Sequence, residues 1–351
     1  MRLIAMLLIA LPLLSGCETL SYYLQAADGQ FTLLARARPV DSLVADPATP
    51  AALRERLEVA ASIRTFATRE LKLPENASYR RYADLARSYA VWNVVAAPEL
   101  SLEPLQSCFP VAGCVPYRGY FAEDDARRRG DSLRAAGNDV FVYGVPAYST
   151  LGWFDDPLLS TFIRYSDAEL ARLIFHELAH QLLYVKGDST FNESFAVTVE
   201  REGVRRWLTA MRREGELGAF LQARERAGQF AALIRDARKR LELVYSSGAA
   251  ADAMRQQKQA EFGLLAERYA ALKASWGGFS GYDRFFTEGP SNALLASFQT
   301  YSGLVPVFER LLSAAGGDLE RFYAGARALA RLDTEPRRQA LERIGGLSER
   351  Q

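Results

Sequence analysis

The feature that most constrains this chain is the pattern HExxH within residues 175–181, FHELAHQ. Its apolar flanks predict a helix with a buried side, and residues four apart share one helix face. His176 and His180 are therefore expected to bind one metal ion, with Glu177 placed to reach a water molecule at that ion. The chain has only two histidines, both in this pattern, which makes two solvated histidines on a surface helix a poor alternative.

A catalytic zinc site needs three protein ligands and one open position. No histidine remains, so the predicted third ligand is a carboxylate. Glu193 is favoured because it opens a second predicted helix, Asn192–Arg212, after a loop long enough to turn the chain back. Asp188, in that loop, is the weaker candidate. Glu200, two turns after Glu193, is either a partner that orients a ligand histidine or a solvated helix acid.

The first 17 residues predict a lipoprotein signal. Arg2 supplies positive charge, and the apolar run Leu3–Leu14 is too short to span a bilayer. The run ends in LSGC, which resembles the lipobox of bacterial lipoproteins and makes Cys17 the predicted lipidation site. An ordinary secreted protein is the alternative. Residue 18 is Glu and not Asp, which in the lipoprotein-sorting pattern that this segment resembles favours the outer membrane. We therefore expect a periplasmic protein anchored there by acyl chains.

The remaining cysteines and the net charge limit the function further. Cys108 and Cys114 are six positions apart, and in an oxidising compartment they are a predicted disulfide, with two small buried thiols as the alternative. The net charge of +1 gives no indication of a nucleic-acid surface.

Apolar periodicity divides the chain into a mixed N-terminal part and a helical C-terminal half, which predicts an α+β fold with a small N-terminal mixed sheet. The predicted helices are Ala51–Leu71, Asn76–Tyr89, Glu123–Ala136, Asp167–Val185 with Ser166 and Glu169 as a capping box, Asn192–Arg212, a hairpin over Glu214–Ser275, and further helices from Ser291. The predicted strands are the first half of Ala90–Leu102, then Val115–Phe121 and Asp139–Tyr143. We expect four segments: the signal and lipobox (1–17), an α/β part with a substrate edge strand (18–165), zinc-binding helices (166–212) and a helical region (213–351).

HELAHQ followed by NESFA resembles the gluzincin aminopeptidases, in which the glutamate of N-E-x-F-A is the third zinc ligand, here Glu193. The short spacing between the two motifs is closer to a family of bacterial lipoproteins described as predicted aminopeptidases. The segments VAGCVPYRGYF, YGVPAYSTLGWFDDP and SNALLASFQTY are similar to that family too, so the resemblance covers most of the mature chain. It implies a zincin-like (thermolysin-like) catalytic core, one Zn²⁺ ion and a peptide substrate.

The resemblance also implies roles for residues outside the two motifs. Gluzincin aminopeptidases use a tyrosine of their C-terminal helices to stabilise the reacting oxyanion, which implies Tyr301, with Tyr282 as the second choice and a plain core tyrosine as the alternative. Zincins hold the peptide along an edge strand before the HExxH helix. This implies substrate contacts from Tyr148, Ser149 and Gly152, with an ordinary loop as the alternative.

The predicted function is zinc-dependent peptide-bond hydrolysis, with water as the nucleophile and Glu177 as general base. The aminopeptidase assignment comes from the resemblance. The G-x-M-E-N motif that binds the substrate amine in large gluzincin aminopeptidases is absent, so an endopeptidase of the envelope is one alternative. A non-catalytic zinc-containing periplasmic lipoprotein, whose helical hairpin binds a partner, is the other.

Overall fold

The structure, a computed structural model, describes residues 21–109, 113–147, 150, 153–287, 289–299 and 303–346. In these ranges the chain is an α+β protein in which a mixed N-terminal part with short strands is followed by a helical C-terminal half. The predicted α+β class is confirmed, whereas the thermolysin-like core and the four-segment division stay predictions.

The N-terminal part begins with helices. Residues 21–36 form α1, and the short strand β1 (Arg38–Pro39) leads into α2 (Val40–Ala45) and α3 (Ala51–Arg69). The prediction of a helix over Ala51–Leu71 is thus confirmed. Buried apolar positions of α3 recur every three or four residues, as expected of a helix with one face in the core: Leu57, Ala60, Ile63 and Ala67.

The central sheet is antiparallel, with β3 (Val91–Pro98) between β6 (Arg118–Tyr120) and β7 (Asn138–Val145). Successive residues of a strand face opposite sides of a sheet, and both sides of β3 are covered. Val94 packs in a cluster with Ala126 of α4 (Glu123–Ala135), and Val95 packs with Ala293 of α10 (Asn292–Gln299). This coverage explains why β3 is a nearly continuous apolar run, and β7 is left as an edge strand of the described sheet.

Two smaller sheets flank this region. Strand β2 (Arg81–Ala83) pairs antiparallel with β1 and parallel with β8 (Leu158–Leu159). The other sheet is a hairpin of β4 (Ser107–Phe109) and β5 (Gly113–Val115). Cys108 and Cys114 face each other across this hairpin and are joined by a disulfide, which confirms the predicted pair.

The pattern HExxH lies on α5 (Asp167–Leu182), which is followed by α6 (Ser189–Ala210). Ser166 caps α5 as predicted, because its side chain accepts a hydrogen bond from the Glu169 backbone N–H. The other half of the predicted capping box does not form, since the Glu169 carboxylate binds two arginines instead. Helix α6 starts three residues earlier than predicted because Asp188 is its N-cap.

The C-terminal half is helical throughout the ranges described. The predicted hairpin is confirmed as α7 (Glu214–Tyr245) and α8 (Ala251–Ser275), with Gly248 in the left-handed region in the turn. The helices that follow are α9 (Arg284–Thr287), α10, α11 (Val305–Ala314), α12 (Leu319–Ala330) and α13 (Thr334–Gly345). No helix within the described part is long and apolar enough to cross a membrane.

The predicted helix Asn76–Tyr89 is wrong, because this segment forms turns and then β2. The reason lies elsewhere in the chain. The guanidinium of Arg64 is almost fully buried and donates hydrogen bonds to the backbone carbonyls of Pro74, Asn76 and Ser78. Carbonyls turned toward this buried cation cannot also accept the bonds of a helix. The predicted strand Val115–Phe121 is likewise broken into the end of β5 and β6.

Candidate metal centre

Helices α5 and α6 bring three potential metal ligands together. The Nε2 atoms of His176 and His180 are 3.2 Å apart. The Glu193 carboxylate lies 3.3 Å from Nε2 of His176 and 3.6 Å from Nε2 of His180. One turn of helix separates the two histidines, so both rings face the same side of α5 toward the start of α6.

These distances fit a small tetrahedral metal ion. Ligand atoms about 2.0–2.1 Å from a tetrahedral zinc are roughly 3.3 Å from one another. The shortest separations are close to that spacing, with Oε2 of Glu193 nearest His176 and Oε1 nearest His180. One ligand atom from each of the three residues lies within 4.8 Å of the others. One carboxylate oxygen, Oε2 of Glu193, is buried without a hydrogen-bond partner. A buried carboxylate whose two oxygens lie next to two imidazole nitrogens favours a cation between them.

The neighbours of Glu193 fix its position. Asn192 is 1% exposed, and its side-chain amide makes two hydrogen bonds with the backbone of Val185, of 2.7 and 2.8 Å. These bonds close the loop between the helices and hold the start of α6 near the end of α5. Ser194 and Phe195 are fully buried, and Ser194 Oγ accepts a hydrogen bond from the Leu304 backbone. The motif NESFA therefore leaves Glu193 facing the histidines.

Asp188, the weaker candidate for the third ligand, is engaged elsewhere. One carboxylate oxygen accepts the hydrogen bond that caps α6, and the other pairs with Arg337 at 3.1 Å. The structure thus brings Glu193, and not Asp188, to the two histidines.

Glu200 lies directly behind the candidate ligand His176. It is 2% exposed, and it accepts a hydrogen bond of 2.9 Å from Nδ1 of His176. Burial alone would raise the pKa of Glu200, but Arg172 and the His176 hydrogen bond outweigh it and lower that pKa to about 2. A charged Glu200 keeps the proton on Nδ1, which leaves Nε2 directed at Glu193.

The two histidines have opposite electrostatic environments. Burial opposes a charge on His176, but the nearby carboxylates of Glu193 and Glu200 dominate and raise its pKa to about 10. Burial lowers the pKa of His180 to about 4, and the attraction of Glu193 only partly offsets this. The carboxylates on either side of His176 therefore draw positive charge to this point of the protein.

Glu177 is half-buried beside the candidate ligands. Burial raises its pKa to about 7; nearby His176 opposes this rise and the negative charge of Glu193 adds to it. A carboxylate with a pKa near neutrality can both accept and release a proton under physiological conditions. The environment of Glu177 is thus suited to general acid and base chemistry.

Two cavities meet at this centre. The first, of about 330 Å³, extends toward the β4–β5 hairpin and includes Tyr22 and Ala26 of α1. The second, of about 490 Å³, extends between α6 and α7. Both are lined by His176, Glu177 and the end of β7. The predicted substrate strand therefore ends at the site.

Several predicted site residues cannot be compared with the structure. Tyr148, Ser149, Gly152 and Tyr301 lie outside the described residues, as does Cys17. Tyr282, the second choice for the oxyanion role, stacks on Phe230 with ring centroids 4.1 Å apart and lines the second cavity.

Three residues of the site were missed in the sequence. Arg172 precedes His176 by one turn and hydrogen-bonds Glu200 at 3.1 Å, so helical spacing could have revealed it. Tyr117 and Tyr184 line the first cavity, and the negative charge of Glu193 adds to the effect of burial in raising the pKa of both. Neither tyrosine carries a local signal, since each reaches the centre from a connecting segment.

The fold and the site together define an α+β protein with an HExxH helix and a candidate metal centre where two cavities meet. A family model described as "Putative aminopeptidase" matches residues 21–341, and the chain belongs to that family. No curated protein and no solved structure matched this chain in the comparisons.

Proposed function

We propose that this protein is a zinc-dependent aminopeptidase. Membership of the family supports peptide hydrolysis. The observation that carries the metal dependence is the set of three donors, His176, His180 and Glu193, whose ligand atoms lie within 4.8 Å of one another next to a free-standing acid, Glu177. Two nitrogens and one carboxylate oxygen at such spacing are a ligand set typical of catalytic zinc.

When bound, zinc supplies Lewis acidity that lowers the pKa of a water molecule to about 7 and polarises a carbonyl group. His176, His180 and Glu193 would hold the ion, and Glu200 would orient the ring of His176. Glu177 accepts a proton from the attacking water and later delivers it to the leaving amine. Its pKa of about 7 suits both steps.

The oxyanion formed at the substrate carbonyl needs a hydrogen-bond donor. We propose Tyr301 for this role on the strength of the family resemblance. Tyr117 and Tyr184 are the alternatives, because both line the first cavity next to the candidate metal centre. Changing each tyrosine separately to phenylalanine identifies the donor, because its loss lowers kcat about 10²–10³-fold while the hydrophobic ring is kept.

We propose that the peptide binds along the edge strand β7 and the loop after it. Val145 ends β7 and lines both cavities, as does Ala147. An extended peptide could pair with this edge by backbone hydrogen bonds. Tyr148, Ser149 and Gly152 follow in the chain and are proposed to contact the residue next to the scissile bond.

The decisive experiment compares the zinc-loaded protein with its Glu177→Gln variant. We expect the wild type to hydrolyse amino-acid nitroanilides, and the variant to bind zinc equally well with kcat lowered about 10²–10⁴-fold. Hydrolysis of blocked internal peptides, with none of nitroanilides, would instead indicate an endopeptidase. Tight zinc binding without hydrolysis of any peptide in a library would favour the non-catalytic scaffold and refute the proposed function.

We further propose that the chain acts in the periplasm, held on the outer membrane by lipid on Cys17. The support is the signal-like run that precedes LSGC in the sequence. Incorporation of labelled fatty acid into the wild type, but not into Cys17→Ser, tests this proposal.

A further inference from the structure

The second cavity is rich in arginine. Arg172 of α5, Arg201 of α6, and Arg224 and Arg235 of α7 all line it. None of the described residues that line the first cavity is an arginine or a lysine. The two spaces that meet at the candidate metal centre therefore differ in charge.

Not all of this positive charge is neutralised. Arg172 and Arg224 share the carboxylates of Glu169 and Glu200, which balances two cations with two anions. Arg201 pairs with Glu309 at 2.9 Å, but the Glu309 side chain is half-exposed and water competes for the pair. Arg235 is an exposed residue and forms no ion pair within 4.0 Å with any described residue. Of the four arginines that line the cavity, Arg235 is thus the one without an anionic partner among the described residues.

Two of the arginines that line the cavity also have an unsatisfied donor. The Nε atoms of Arg201 and Arg224 are buried and have no hydrogen-bond partner. A buried N–H group without an acceptor is unfavourable, and a charged guanidinium binds a carboxylate more strongly than it binds a neutral acceptor. The guanidinium groups of Arg201, Arg224 and Arg235, which line one cavity, therefore form a site to which a carboxylate is complementary.

We infer that the second cavity is the subsite for an anionic group of the peptide on the leaving-amine side of the scissile bond. This inference rests on the proposed function. The ligand is a carboxylate, from either the free C-terminus of a short peptide or an acidic side chain. A peptide bound across His176 and Glu177 would place the N-terminal residue, with its free amine, in the first cavity and the carboxylate in the second.

Calorimetry on the mature chain carrying Glu177→Gln tests the inference without turnover. Three peptides are compared: Phe-Ala-Ala with a free C-terminus, the same peptide as its C-terminal amide, and Phe-Asp-Ala amide. We expect at least one carboxylate-bearing peptide to bind about tenfold more tightly than Phe-Ala-Ala amide. The one that does so identifies the source of the carboxylate. Equal binding of all three overturns the inference.

The comparison is repeated without metal, because a carboxylate can also bind zinc directly. We expect the preference to persist; its disappearance would place the carboxylate on the ion and overturn the subsite. In Arg235→Gln and Arg201→Gln the preference should fall at least threefold. Lys239→Gln, which removes an exposed cation one turn further along α7, is the matched control. An equal loss of preference in the control would show a general charge effect and refute the site.

The failure of this inference can be told apart from failure of the proposed function. Nitroanilide hydrolysis by the wild type tests the function, since these substrates have no carboxylate on the leaving side. Hydrolysis of nitroanilides with no carboxylate preference in binding would overturn the subsite alone. An arginine-dependent preference in a protein that hydrolyses nothing would overturn the function alone.

Discussion

Replacing Glu200 with glutamine removes the negative charge behind His176 and keeps the size of the side chain. In the structure this carboxylate is 2% exposed, lies 2.9 Å from Nδ1 of His176 and 3.1 Å from Arg172. A glutamine oxygen can still accept one hydrogen bond, so the ring is not released completely. What is lost is the electrostatic attraction between the negative carboxylate and the His176 ring. This attraction makes His176 a stronger metal ligand in the wild type.

The expected magnitude follows from the contacts. Removing a carboxylate that orients a ligand histidine weakens metal binding about 10–100-fold, which corresponds to about 1.4–2.7 kcal/mol. The metal-free protein should also lose about 1–3 kcal/mol of its free energy of unfolding, because Arg172 and Arg224 then share one carboxylate less in a buried place.

The assay is competition for zinc with a chelating indicator, combined with denaturant unfolding of the metal-free protein. Glu202→Gln is the matched control, since Glu202 lies two residues further along α6 and pairs with Arg205 and Arg206 instead of a histidine. The control should lose stability without losing zinc affinity. If Glu200→Gln binds zinc within threefold of the wild type, Glu200 only stabilises the arginines, and the proposed orienting role is refuted.

Other consequences can be measured separately. Glu177→Gln should lower kcat about 10²–10⁴-fold with an unchanged zinc content, and normal turnover would exclude Glu177 as the base. Chelation of zinc should lower the free energy of unfolding by about 4 kcal/mol relative to protein with free metal at about 1,000 times Kd; identical unfolding curves would argue against a structural contribution of the metal. Burial raises the pKa of Asp156 to about 6 from its ordinary 3.8, so the contribution of this residue to stability is complete below pH 3.8 and is lost as the pH rises through 6. Its loss amounts to about 3 kcal/mol, and the unfolding free energy of Asp156→Asn should therefore depend less on pH in this window. Reduction of the Cys108–Cys114 disulfide, which closes a short loop, should cost about 2 kcal/mol, with the double serine variant giving the same value.

The parts of the fold that local patterns control could be predicted from the sequence. The helices α3, α5 and the α7–α8 hairpin have regular apolar spacing and few breakers, and their predicted extents agree with the structure within about three residues. Glu193 could be selected as the candidate third ligand because no further histidine is present and because it opens the predicted helix after a loop long enough to turn the chain back.

The rest depends on distant contacts that no local pattern contains. The segment after Pro74 has a composition typical of a helix. Its backbone carbonyls instead accept hydrogen bonds from the buried guanidinium of Arg64. Tyr117 reaches the centre only because the β4–β5 hairpin folds over it, and the arginine-rich cavity exists only once α6 and α7 have packed. Such features arise from the tertiary arrangement, so they become visible only in the structure.

Helix α1 affects how shortened forms of this protein should be designed. Tyr22 and Ala26 of α1 line the first cavity. The guanidinium of Arg118 lies 4.0 Å from the centre of the Tyr22 ring. The backbone N–H of Phe121 donates a hydrogen bond to the side-chain oxygen of Gln25, which also belongs to α1. In a shortened protein that starts after residue 36, the first cavity would therefore be open on one side, and substrate preferences measured on it would not describe the intact protein.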